Sequence, residues 1–141
     1  MQVLFAFITR GSVPVLVMVL VMLWGTLAST AEARRRHPEN FYQKLWCDKA
    51  GGILEYPLKD RTRVDCLTHQ YAIEFDFGSK WAEALGQALH YSLMTGKKPG
   101  IVLILENDKD KKYWVRLNDI IRNYGLKIQV WSIGRSGGKE G

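Results

Sequence analysis

Three features of the chain predict an α/β fold: a mixed β-sheet flanked by helices, in the order αβββαβαβ. Ile101-Val102-Leu103-Ile104-Leu105 is an unbroken apolar run, the mark of a strand buried on both faces at the centre of a sheet. Arg63–Thr68 and Tyr71–Phe77 alternate as the two arms of a hairpin around His69-Gln70. Stretches of helical periodicity then separate the later strands, and crossovers of that kind join parallel neighbours.

The chain opens with a segment that does not belong to this domain. Val13–Ala28 is apolar and uncharged, preceded by Arg10 and followed by Ala31-Glu32-Ala33. That order fits an export signal with a small-x-small cleavage site, and residues 1–33 are read as such. The apolar core is short for a spanning helix. Arg34-Arg35-Arg36 beyond it is the feature that would favour retention as a membrane anchor through residues 13–28. Export places the protein in the periplasm or outside the cell, with no stable membrane anchor once the signal is removed.

The mature domain is read as residues 34–133. Pro38-Glu39-Asn40 starts a helix that runs through Phe41, Leu45 and Trp46 to Ala50 and stops at Gly51-Gly52. Ile53–Leu58 is a first strand, and Pro57 marks it as an edge or a strand end. After the hairpin, Gly78-Ser79 caps a helix over Lys80–Met94, with Trp81, Leu85, Ala88 and Ser92 on one stripe. Residues 96–100 read as a loop and Asn107–Lys112 as a polar connection. Val115–Tyr124 is a helix ended by Gly125, Lys127–Ile133 a last strand, and Gly134–Gly141 a flexible Gly/Ser/Lys tail.

The hairpin carries the chemistry. Its register sets Thr68 opposite Tyr71, Cys66 opposite Ile73, Asp65 opposite Glu74 and Arg63 opposite Asp76. Arg63, Asp65, Glu74 and Asp76 then share one face, and Val64, Cys66, Ile73 and Phe75 share the apolar other. Two carboxylates directly across a strand pair repel by roughly 3 kcal/mol at about 5 Å and an effective dielectric near 20. A divalent cation between them reverses that sign. Hard carboxylate oxygens suit magnesium or manganese rather than zinc. The same acids are also readable as a surface ion network with Arg63 and Lys80.

Charge and cysteine content narrow the remaining classes. The chain has a net charge of +6, which suits a polyanionic partner without choosing one. Arg63, Lys97, Lys98, Lys109, Lys111, Lys112 and Arg116 are candidate phosphate contacts, the alternative for the Lys109–Lys112 cluster being a solvated loop. Cys47 and Cys66 form no zinc motif. They are either a disulfide closing a loop of about 20 residues, worth roughly 3 kcal/mol, or two buried thiols. His69 and His90 have no nucleophile partner in the sequence, and no Walker loop or dinucleotide fingerprint is present.

With Asp65 on the second strand and Glu74-Phe75-Asp76 on the third, the order of elements over Glu39–Ile133 resembles the restriction-endonuclease-like PD-(D/E)xK nuclease superfamily. Gln87 and Tyr91 have the Q-x-x-x-Y spacing of its RecB-like branch. The resemblance implies a nuclease cleaving DNA or RNA, with Asp65 and Glu74 as ligands of magnesium or manganese and Gln87 and Tyr91 orienting substrate or a carboxylate. It also implies an outer ligand, Glu39 by position or Glu55 on the first strand. The usual Lys is Asp76 here. Arg63 across the hairpin is placed to neutralise Asp76, and Lys80, on a stripe with Ala84, Gln87 and Tyr91, is placed to supply the missing amine. Nucleic acid would be gripped non-specifically through its backbone, with selectivity left to a homodimer or a partner. The Asp at the Lys position also fits an inactive nuclease-fold protein serving as a periplasmic binding or assembly component.

Overall fold

A computed structural model describes residues 35–134 of the chain. The export signal expected over residues 1–33 and the tail expected beyond Gly134 lie outside the described residues. Helix α1 (Glu39–Ala50) leads into β1 (Ile53–Pro57), β2 (Arg63–Leu67) and β3 (Tyr71–Phe77). Helix α2 (Trp81–Thr95), β4 (Lys98–Ile104), helix α3 (Lys111–Asn123) and β5 (Gln129–Ile133) complete the order. This is the predicted αβββαβαβ succession. Among the described residues no helix is long and apolar enough to cross a membrane.

The five strands form one sheet in the order β1-β2-β3-β4-β5. β1, β2 and β3 are antiparallel neighbours; β3, β4 and β5 run parallel. β4 is central, and Ile101, Val102, Leu103 and Ile104 are all fully buried or nearly so, as their unbroken apolar run requires. Helix α1 covers one face, where Trp46 and Cys47 pack with Cys66, Ile73, Phe75 and Val102. Helices α2 and α3 cover the other, where Ala84, Ala88 and Leu117 meet Ile101 and Leu103.

Three boundaries differ from the sequence expectation by more than one residue. β4 begins at Lys98 inside the expected loop. The Lys98 N–H points to β3 and donates to Gln70 O at 2.9 Å. Pro99 therefore turns its nitrogen to the other side, where β5 pairing starts only at Gly100, so the missing N–H costs no ladder bond. α3 begins at Lys111 rather than Val115, because Asn107 and Asp110 form a reciprocal capping box over the short 3₁₀ turn Asp108–Asp110. β5 begins at Gln129 rather than Lys127.

The hairpin register is the expected one, with Cys66 opposite Ile73 and Leu67 opposite Ala72. The facing is not fully as expected. Val64 packs with Ala72 and Tyr91, away from Cys66, Ile73 and Phe75. Between Leu54↔Cys66 and Tyr56↔Val64 the β1–β2 ladder skips Glu55 and Asp65. Glu55 sits there at φ 51°, and a residue outside the pleat breaks strict alternation.

Cys47 and Cys66 form a disulfide, so the bridged alternative is the one realised. Both are fully buried, and the bridge ties α1 to β2. Gly51 at φ 63° ends α1, and Gly52 passes against the bridge. A Cβ at Gly52 would meet Cys66 Sγ at 2.5 Å and Cys47 Sγ at 2.8 Å. Closing a segment with a sequence separation of 19 is worth about 3 kcal/mol. Replacing both cysteines by alanine is expected to remove stability of that order, read as a lower urea midpoint.

Candidate functional site

Asp65 and Glu74 stand side by side where β2 and β3 part. The β2–β3 pairing ends at Cys66↔Ile73. Beyond it the Asp65 carboxylate takes the place of a strand: its Oδ2 accepts the Phe75 N–H at 2.8 Å. The splay opens a cleft of about 740 Å³ between the start of α1, the β1–β2 hairpin, β3 and α2. Of the acidic residues, Glu39, Glu55, Asp65, Glu74 and Asp76 line it, together with Gln87 and Tyr91.

Glu74 is almost wholly buried, at 4% exposure. Its Oε2 is the one buried side-chain polar atom among the described residues that has no hydrogen-bond partner. Burial first, then the charge of Asp65, pushes the Glu74 carboxyl far above the usual range. Burial also raises Asp65, opposed by the Phe75 N–H and reinforced by the charge of Glu39. Burial pushes Asp76 up to about 7 against the pull of the Lys80 ammonium. Glu39 is raised by burial as well, with Lys80 and Arg35 pulling the other way. Tyr91 is raised by burial and then by the charges of Glu74 and Asp65. Such a set of upward shifts is what acids sharing one poorly hydrated cleft produce.

The surface ion network drawn from sequence is absent. Arg63 pairs with Glu55 at 3.0 Å, not with Asp76. Lys80 Nζ lies 3.8 Å from Asp76 Oδ1 and 3.6 Å from Glu83 Oε2, so neutralising Asp76 falls to the lysine just before α2. The reason is the splay: β2 has left β3 before Arg63 is reached, and Arg63 remains paired with the β1 side. The Tyr91 hydroxyl donates to Gln87 Oε1 at 3.2 Å. Gln43 Nε2 donates to Glu39 Oε1 at 3.2 Å.

Of the expected phosphate contacts, only Arg63 lines the cleft. Lys97 is drawn to His69 O at 2.6 Å at the hairpin turn, and Lys98 lies over the Tyr71 ring. Lys111 pairs with Asp108 at 3.7 Å, and Lys112 and Arg116 flank Tyr113 on α3. Those residues and Lys109 do not border the carboxylates. Sequence reasoning missed Arg61, Thr62, Asn40 and Gln43, all in the cleft wall. Arg61 sits in a polar turn and Gln43 amid other polar helix residues, with no spacing to single them out.

The donors suit a hard cation. Among the described residues no group of three or more His, Cys, Asp or Glu side chains is arranged to hold one ion. The residues that could hold one are Asp65 and Glu74, whose Oε2 has no partner. Magnesium is commonly bound in this way, by one or two carboxylates with water and phosphate oxygens completing the shell.

A stability test follows from the buried acid. Its raised folded-state pKa means that the folded chain holds a proton which the unfolded chain releases above pH ~4.3. Its stabilising contribution is thus complete at low pH and is lost as pH rises toward the folded-state value. Glu74→Gln removes that penalty. In chelator it is expected to gain up to roughly 3 kcal/mol over the parent at pH 7 and less than ~1 kcal/mol at pH 5, by urea denaturation. An equal effect at both pH values would refute the shift. Compared with known proteins, the chain matches no family model, no curated protein and no solved structure, and its reading rests on this geometry.

Proposed function

We propose that the chain is a metal-dependent nuclease with a restriction-endonuclease-like fold of the PD-(D/E)xK kind, hydrolysing phosphodiester bonds in DNA or RNA. One observation carries the proposal: a buried carboxylate pair, Asp65 and Glu74, with Glu74 Oε2 unpartnered in a cleft that a cation and a phosphate could share. Structural ion pairs satisfy their oxygens. This pair does not: Glu74 Oε2 is left without a partner.

Asp65 and Glu74 would hold magnesium or manganese. Such an ion would neutralise phosphate charge and lower the pKa of water. The protein's own groups have separable tasks. Phe75 N–H fixes the rotamer of Asp65. Tyr91 and Gln87, joined by their hydrogen bond, orient substrate beside Glu74. Asp76 holds Lys80 at the cleft, where the ammonium can face a phosphate oxygen or the attacking water. Glu39, raised by burial, is placed to accept a proton at the α1 side. The Cys47–Cys66 bridge supports the export reading and a periplasmic or secreted location, since such bridges persist in oxidising compartments.

The second reading is an inactive nuclease-fold component that binds or assembles at the cell envelope. The occupation of Lys80 by both Asp76 and Glu83 favours it, since an amine held by two acids is less free to serve chemistry.

Plasmid, single-stranded DNA and RNA incubated with magnesium, manganese or chelator separate the two. Metal-dependent cleavage is expected, falling at least ~100-fold in Asp65→Ala and Glu74→Ala. Magnesium is also expected to raise the melting temperature of the parent and not of Asp65→Ala. Intact substrates with every metal, beside a folded parent, would replace the nuclease with the binding component.

A further inference from the structure

Two non-glycine residues among those described have a left-handed backbone, Glu55 at φ 51° and Arg61 at φ 74°. Both line the carboxylate cleft. Conformations of this kind cost of order 1–3 kcal/mol each and persist where the surroundings impose them, most often at binding and catalytic sites. Their coincidence in the β1–β2 hairpin marks that hairpin as one wall built for a ligand.

The tip of the hairpin is held from three sides. Leu58 N donates to Thr62 O at 2.9 Å, and Arg61 N donates to Leu58 O at 3.1 Å. Asp60 Oδ1 accepts from Thr62 N at 3.0 Å and from Thr62 Oγ1 at 2.6 Å. Asp60 Oδ2 lies 2.6 Å from His90 Nε2 on α2, which fastens the tip across the cleft's flank. Arg61 is therefore held in its left-handed state by hydrogen bonds within the turn and, through Asp60, by a helix.

Three cations line the cleft: Arg61, Arg63 and Lys80. Arg63 is paired with Glu55 and Lys80 with Asp76 and Glu83. Among the described residues Arg61 has no carboxylate partner. An exposed guanidinium left unpaired beside five acids, on a backbone strained to keep it there, is placed for an anion that arrives with the ligand. The planar fork of arginine suits two phosphate oxygens.

We infer that Arg61 is a substrate-binding residue that takes a phosphate of the nucleic-acid strand on the hairpin side of Asp65 and Glu74, with the left-handed turn as its positioning device. The inference rests on the proposed nuclease reading and extends it to a residue with no spacing signal in the sequence. Sequence-independent grip follows, since a phosphate contact carries no base information.

The test is fluorescence anisotropy of the full mature chain with a labelled single strand and a labelled duplex, in chelator and across a salt series. Parent, Arg61→Gly, Arg61→Lys and Arg61→Ala are compared, and each variant's melting temperature is measured. Arg61→Gly is expected to be at least as stable as the parent, because glycine relieves the strain, while binding ~10-fold or more weakly. The slope of log affinity against log salt should fall by about one in Arg61→Gly and Arg61→Ala and be kept in Arg61→Lys. Variants that bind with parental affinity and slope would overturn the assignment of Arg61 and leave the nuclease reading standing. A parent that binds neither oligonucleotide would likewise overturn the assignment of Arg61, and the metal-dependent cleavage assay decides the nuclease reading separately.

Discussion

The parting of β2 from β3 at Asp65 is the constraint from which the site follows. One residue earlier in the pairing, at Cys66↔Ile73, the two strands are regular neighbours. At Asp65 a side-chain oxygen takes the Phe75 N–H in place of a strand partner. The backbone group stays satisfied, so the sheet can open without an orphan donor. The same substitution sets a carboxylate against Glu74 in a place where water has little access. Burial raises both acids, and the charge of Asp65 raises Glu74 further, while a hydrogen bond from Glu74 pulls Asp65 back down.

The surrounding structure is arranged to hold that unfavourable pair. Cys66, the neighbour of Asp65, is bridged to α1, and Gly52 clears the space for the bridge. Phe75, between Glu74 and Asp76, is buried with Trp46 edge-on to it. β4 lies behind β3 in unbroken parallel register from Tyr71↔Lys98 to Phe77↔Ile104. Rigid packing on one face thus fixes charged groups on the other. Local rules are broken in the same small region: two left-handed non-glycine residues, an interrupted β1–β2 ladder and a buried oxygen without a partner. Natural chains keep such conflicts mainly where a ligand repays them.

The basic residues divide into two groups with different roles. Those on the β4 start and on α3 are engaged with backbone, rings or nearby acids at the surface. Those at the cleft, Arg61, Arg63 and Lys80, line it together with the acids. Net charge therefore says little about where a polyanion would lie. Its distribution around the splay says more.

Much of the fold was legible because it rests on period and composition. The Ile101–Leu105 run announced the central strand, the alternation about His69-Gln70 set the hairpin register, and Gly51 ended α1 where expected. Asp65 and Glu74 were legible as neighbours from that register, although the ladder stops one pair short of them. Gln87 and Tyr91 were singled out by the resemblance to the nuclease superfamily. What the chain could not disclose depends on contacts between segments distant in sequence. Pairing of Cys47 with Cys66, the turn of Val64 away from its alternation, the loss of Arg63 to Glu55, and the arrival of Arg61 and Gln43 at the cleft all arise when strands splay or helices dock. Sequence period specifies which residues share a face of one element. Only the tertiary structure decides where that regularity yields, because bulges and splays are set by packing and charge summed over several elements at once.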